Sequence, residues 1–279
     1  MTYTCFITRF TAHFAGILTV ALGLSTAPAT AQQQLEEIAR IEVLDGGLTA
    51  RGTHRAALKV TLAKGWKTYW RSPGDAGTPP RFDWSDSRNV QSVSLNWPTP
   101  KVFVLFGMRS IGYKKELVLP IEITLKNPGK PVLLAGAIEF GVCQDVCIPA
   151  RMTFSQPLDA GAGRNAAIDA ALAHQPVTAT KAGVRSATCR LSPAGDGVLQ
   201  IKAEITMPSA GGDEVTVIEP GNPKLWASET TTSRRGNVLT TTGEVAHVSG
   251  SSFALDRSQV RITVLGKNRA VDIQGCTPG

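Results

Sequence analysis

The sequence is short of most features that identify an enzyme or a nucleic-acid binder at sight. Its 279 residues hold only four His and 6% aromatics. The net charge is +7, yet no Lys/Arg run exceeds the pairs Lys114-Lys115 and Arg234-Arg235. Scattered cations of this kind describe a solvated basic surface rather than a nucleic-acid patch. No Gly-x-Ser-x-Gly elbow is present, and the isolated His offer no hydrolase arrangement. The glycine-rich run Pro73-Gly74-Asp75-Ala76-Gly77 lacks the Lys-Ser/Thr ending and following helix of a phosphate loop. No apolar run reaches the roughly 20 residues of a membrane span. Helical periodicity is nearly missing as well.

Two things are there instead: an export signal and alternation. Met1–Phe10 carries Arg9 and no acid, an apolar core follows at Phe14–Leu24, and Ala29-Thr30-Ala31 offers small residues for cleavage. This is the form of a signal peptide over residues 1–31, so the mature chain is expected to be periplasmic. Beyond it, Leu58/Val60/Leu62, Leu117/Leu119/Ile121/Ile123, Leu134/Ile138/Phe140, Leu199/Ile201/Ile205 and Val260/Ile262/Val264 each share one parity. Turns such as Asp45-Gly46-Gly47 and Asn127-Pro128-Gly129 separate them. Short period-two strands with such turns predict an all-β protein of antiparallel sandwiches. Ala160–His174 is the one helical stretch, and Pro176 stops it. It divides the chain into a domain at 33–160, a helix and linker at 161–182, and a second β-sandwich at 183–279. Trp66, Trp70, Trp84 and Trp97 are expected core anchors of the first domain, and Trp226 and Phe253 of the second.

Export gives the cysteines their meaning. Cys5 leaves with the signal, and four remain in a compartment where disulfides persist. Spacing favours Cys143 with Cys147 and Cys189 with Cys276. The second pair sits near the first and last strands of its domain, as a structural disulfide would. The first lies in Ile138-Glu139-Phe140-Gly141-Val142-Cys143-Gln144-Asp145-Val146-Cys147-Ile148-Pro149, a strand running into a tight loop. A hairpin tip can bring the two sulfurs together, and a loop that small resists ideal disulfide geometry, a condition that favours exchange. A redox-active dithiol and a permanent loop staple both fit these residues. Two thiolates could also hold a soft ion such as Cu(I), with Met108 as an extra ligand, but no His has ligand spacing to them. Neither a bound metal nor a cofactor is expected.

Several motifs then agree in order with one family. Gly65-Trp66-Lys67-Thr68-Tyr69-Trp70-Arg71-Ser72-Pro73-Gly74-Asp75, Trp97-Pro98, Gly112-Tyr113, Leu119-Pro120 and Val142-Cys143-x-Asp145-x-Cys147-x-Pro149 resemble the N-terminal periplasmic domain of the thiol:disulfide interchange protein DsbD. The branch of the copper-sensitivity suppressor ScsB is the nearer match, which adds copper tolerance as a context. The resemblance covers most of residues 37–160, and the C-terminal part is similar to that branch's second sandwich. It implies an immunoglobulin-like domain of protein-disulfide reductase type. In that role Cys147 forms the mixed disulfide with oxidised clients or a thioredoxin-like periplasmic protein, and Cys143 resolves it. It also implies a cap loop over the sulfurs, here Lys101–Arg109 with Phe106 as its ring, and an aromatic lining residue, Tyr69. The best-known members separate their cysteines by more than the three residues found here. They also have acids where Val104 and Leu105 stand, so an apolar cover is expected. Asp145 then either handles protons or holds the turn through a side-chain hydrogen bond. Full-length members continue into a membrane domain and a thioredoxin-like domain. The sequence to Gly279 has neither, so a separate membrane electron-transfer protein is the expected donor.

Overall fold

The computed structural model describes residues 1–2, 35–75, 77–105 and 107–279. The expected signal segment lies almost wholly outside the described residues.

Alternating burial builds the first pair of sheets. Strands β1 (Ala39–Leu48), β2 (His54–Leu62), β3 (Lys67–Tyr69), β4 (Arg81–Asp83), β5 (Val90–Leu95), β6 (Lys101–Leu105), β7 (Met108–Lys114), β8 (Glu116–Leu125), β9 (Val132–Cys143) and β10 (Cys147–Leu158) follow one another along the chain. Four form a sheet in the order β1-β2-β8-β5, and the rest form β10-β9-β3-β7-β6 with β4 also on β9. In β8, Leu117, Leu119, Ile121 and Ile123 are buried while Glu116 and Thr124 are exposed, the period-two pattern expected of a half-buried strand. Leu134, Ile138, Phe140 and Val142 of β9 meet them from the facing sheet. Trp70 and Trp97 are buried in this core, and Trp66 and Trp84 lie partly buried at its margins.

The helical stretch forms as α1 (Ala166–Ala173). The Asn165 side chain caps it by accepting from the N–H groups of Ala167 and Ile168, and the buried Ile168 packs against the β1–β2 turn. A short turn of helix, α2 (Ala179–Ala182), leads on. The second pair of sheets uses β11 (Val177–Thr178), β12 (Ser186–Gly195), β13 (Val198–Thr206), β14 (Val215–Glu219), β15 (Leu225–Ala227), β16 (Thr231–Arg235), β17 (Val238–His247), β18 (Arg261–Leu265), β19 (Ala270–Gln274) and β20 (Thr277–Pro278). One sheet runs β11-β19-β18-β14 and the other β15-β17-β13-β12-β20, with β16 also on β17. The all-β, immunoglobulin-like sandwich architecture expected from the sequence is therefore observed. Trp226 departs from expectation. It is 47% exposed, because the inward position of the three-residue β15 is taken by Leu225.

The two sandwiches share apolar contacts: Val217, Leu265 and Ala270 pack in one cluster with Trp70, Trp97 and Tyr113. Arg71 makes a bidentate pair with Glu219 at 2.8 and 2.9 Å, and the Arg109 N–H donates to Glu229 at 3.0 Å. A disulfide joins Cys189 on β12 to Cys276, just before β20, with both residues buried.

One polar pair, a buried His54 with a part-buried Asp45, anchors the β1–β2 hairpin to the chain after β10. Asp45 accepts from His54 Nε2 at 2.7 Å, from the Gly47 N–H at 3.0 Å and from the Asp159 N–H at 2.7 Å. Burial alone would raise this carboxyl, but the three donors outweigh it and hold it below its ordinary 3.8. A depressed carboxyl stabilises the fold above its unfolded value, and that contribution disappears as pH falls through the folded one. Asp45→Asn should cost about 1–3 kcal/mol at neutral pH. In thermal melts across pH, the gap from the native chain should close below about pH 3–4. A constant gap would contradict this assignment.

Candidate redox site

The register of four strands positions the site. β10 is an edge strand whose first residue, Cys147, lies directly opposite Cys143 on β9. Direct partners point to the same sheet face, so the loop Gln144–Val146 leaves the two sulfurs facing each other. They form a disulfide with the Cα atoms 4.1 Å apart. Parity in β9 sends Phe140 and Val142 into the core, and Gly141 and Cys143 to the outer face. The two sulfur-bearing residues differ in access: Cys143 is 1% exposed and Cys147 is exposed.

Tyr69 of β3 completes the pair. Disulfide sulfurs carry no proton, so its hydroxyl donates to both, at 2.9 Å to Cys143 Sγ and 3.3 Å to Cys147 Sγ. Burial pushes the phenol above its ordinary value of 10.0, which keeps the proton on oxygen and available for donation. The ring fits between two glycines: a Cβ added at Gly77 or Gly141 would lie 2.9 Å from its atoms. A side chain at either position would displace the hydroxyl from the sulfurs.

Beside Cys147 an open groove of about 610 Å³ is walled by Tyr69, Pro79, Arg81, Ile148 and Pro149, and Arg151 pairs with Glu139 at its rim. On the other side of Tyr69, Lys67 Nζ donates to Ser110 Oγ at 2.9 Å and lies 5.5 Å from the Phe103 ring centre; Lys114 Nζ is 4.9 Å from the same ring. Burial first, then the neighbouring Lys114 charge, lowers the Lys67 ammonium below its ordinary 10.5.

Of the residues expected at the site, Cys143, Cys147 and Tyr69 are brought together. Phe106 lies outside the described residues. The flanking β6–β7 hairpin is present, but Val104, expected in an apolar cover, is 68% exposed. It sits on an edge strand with its side chain turned to solvent. Asp145 is exposed and makes no side-chain hydrogen bond among the described residues, so the turn-holding bond is not formed. The disulfide and the Gln144 N–H to Val146 carbonyl bond at 3.2 Å close the turn instead. Met108 is exposed at the hairpin end, and among the described residues no three His, Cys, Asp or Glu cluster as metal ligands. Lys67, Gly77 and Gly141 were not singled out from the sequence. The roles of Lys67 and Gly141 depend on cross-strand register, and that of Gly77 on a loop folded against the Tyr69 ring, neither of which alternation alone reveals.

Comparison with known proteins agrees with this geometry. Residues 34–159 match the model of the family "Thiol:disulfide interchange protein DsbD, N-terminal". The resemblance read from the motifs is borne out over that segment, and the family is one of thiol:disulfide interchange. No curated protein sequence matches. Among solved structures, the N-terminal periplasmic domain of ScsB from Proteus mirabilis aligns with a TM-score of 0.66 at 22% identity. The alignment covers 91% of this chain and 97% of that one, so the two-sandwich fold is shared along nearly the whole length. A protein of unknown function from Porphyromonas gingivalis W83 aligns at 12% identity over 85% of this chain and 99% of that one, but its TM-score of 0.23 carries no argument.

The Tyr69 slot is directly testable. Gly141→Ala should destabilise the protein by about 1–3 kcal/mol through overpacking. Adding Tyr69→Ala should remove most of that penalty, because the clash partner is gone. Additive losses in the double-mutant cycle would show that the ring and Gly141 do not compete for this space.

Proposed function

We propose that the chain is a periplasmic thiol-disulfide exchange protein that passes reducing equivalents to protein partners through Cys143 and Cys147. The asymmetry of the pair carries this reading. The exposed Cys147 borders an open groove where a partner's chain can lie, whereas Cys143 is buried behind it. In the reduced protein the Cys147 thiolate attacks a partner disulfide, forming a mixed disulfide and expelling one partner thiolate. Cys143 then attacks Cys147 Sγ, which restores the intramolecular bond and releases the partner as a dithiol. Two electrons pass to the partner, and a separate membrane electron-transfer protein returns them. The Tyr69 hydroxyl, within reach of both sulfurs, supports the charge that develops on whichever one is leaving.

The exchange domain in this proposal is residues 33–160, with the Lys101–Arg109 hairpin and its Phe106 as the movable cover. Gly107, at φ +79°, adopts a backbone conformation that side-chain-bearing residues rarely take, and so shapes the turn of that hairpin. Residues 183–279 form the second domain. Its Cys189–Cys276 disulfide acts as a staple, since closing a span of 87 residues contributes about 4–5 kcal/mol in the chain-entropy model.

Replacing each sulfur in turn tests the roles. Cys143→Ala should accumulate mixed disulfides through Cys147, because nothing resolves them. Cys147→Ala should accumulate few. Mass spectrometry of species trapped in periplasm reads both variants. The reverse pattern would exchange the roles, and trapping by neither would leave the loop disulfide a permanent bridge.

A further inference from the structure

One row of cross-strand partners runs from the disulfide into two lysines. Cys147 faces Cys143, Cys143 faces Lys67, and Lys67 faces Lys114, on β10, β9, β3 and β7 in turn. Cβ atoms of direct partners lie about 4.5–5.5 Å apart on the same face. The Lys67 stem therefore starts beside Cys143. Its ammonium ends 6.0 Å from the centre of the Tyr69 ring, the ring whose hydroxyl reaches both sulfurs. Among the described residues no carboxylate pairs with Lys67 or Lys114. The Glu139 carboxylate, nearby on β9, is neutralised by Arg151. Lys101, in the neighbouring row opposite Gly112, adds a further cation, and Asp145 in the loop is the one opposing charge between the cysteines. Two ammoniums without a carboxylate partner in one row, that of Lys67 partly withdrawn from water and that of Lys114 exposed, form an unfavourable arrangement that a negative charge on sulfur would relieve.

We propose that Lys67, reinforced by Lys114, holds the reduced Cys143/Cys147 dithiol as a thiolate–thiol pair at neutral pH, which makes Lys67 a positioning residue for exchange. The proposal rests on the exchange reading of the pair. When a dithiol partner reduces the chain, the S–S bond breaks and two electrons enter. One proton is taken up instead of two, and the second negative charge stays on sulfur, shared across the pair. The partner's two sulfurs join as a disulfide, and its remaining proton goes to solvent. The Cys147 nucleophile is thus ionised before a client arrives.

The pH profile of iodoacetamide labelling, read cysteine by cysteine by mass spectrometry in the mildly reduced full chain, tests this. Labelling follows the thiolate, so its midpoint reports the pair's first ionisation. The native chain should show Cys147 labelling with a midpoint at or below about pH 7, against about 8.5 for a free thiol. Lys67→Gln should move the midpoint up by about one unit, roughly tenfold less thiolate at a fixed pH, and Lys67→Arg should restore it. Lys114→Gln, at an exposed position that leaves folding intact, should give a smaller shift of the same sign. A native midpoint near 8.5, or Lys67→Gln and Lys114→Gln profiles that coincide with the native one, would overturn the proposal. Labelling needs no protein partner, so a Lys67-dependent midpoint without trapped mixed disulfides would fault the exchange reading and support this one.

Discussion

The direct opposition of Cys147 to Cys143 across the β9–β10 hairpin is the constraint on which the rest of the site depends. Side chains alternate faces along a strand, so this register decides several things at once. It sends Phe140 and Val142 into the core and leaves both sulfurs on the outer face. It also places Gly141 where the Tyr69 ring needs room, and Lys67 next in the row. A slip of β9 by one residue against its neighbours would turn Cys143 into the core and Val142 to the surface. The hydrophobic core therefore enforces the geometry of the disulfide pair, because such a slip would expose several large apolar side chains at about 1.5–3 kcal/mol each.

The second sandwich meets the first at the same structural elements. Arg71 follows Tyr69 by two residues and is clasped by Glu219; Arg109 lies on the strand that continues the β6–β7 hairpin and is held by Glu229 and the Thr230 carbonyl. Arg71 also stacks on Trp70, with its guanidinium carbon 4.0 Å from the ring centre. Arg71 lies two residues from Tyr69, which touches both sulfurs, and Arg109 is next to Ser110, which accepts from Lys67. The motif residues Trp70 and Arg71 thus join the first sandwich to the second, Trp70 through the shared apolar cluster and Arg71 through Glu219.

Much of this was legible in the sequence. Parity marked the strands containing Leu117–Ile123 and Leu134–Phe140, Pro176 and the alanine run marked the helix that forms as Ala166–Ala173, and cysteine spacing marked both disulfides. Other features were not. Trp226 looked like a core anchor because a large aromatic in a β-rich segment usually is one, but burial is decided by which parity of a three-residue strand faces inward. Asp145 looked like a turn-former by residue type, and a covalent bridge made its hydrogen bond unnecessary. Lys67 carries no sign of its position in the sequence itself. Only the pairing of β3 with β9, distant in sequence, brings it beside Cys143.

The reduction potential of the Cys143–Cys147 pair in the full chain, measured by equilibration in glutathione buffers, tests the central claim most directly. An exchange pair should be opened in the range that protein dithiols occupy, above about −300 mV, while Cys189–Cys276 stays oxidised in the same buffers. A Cys143–Cys147 potential well below about −300 mV would mark a permanent bridge and contradict the account.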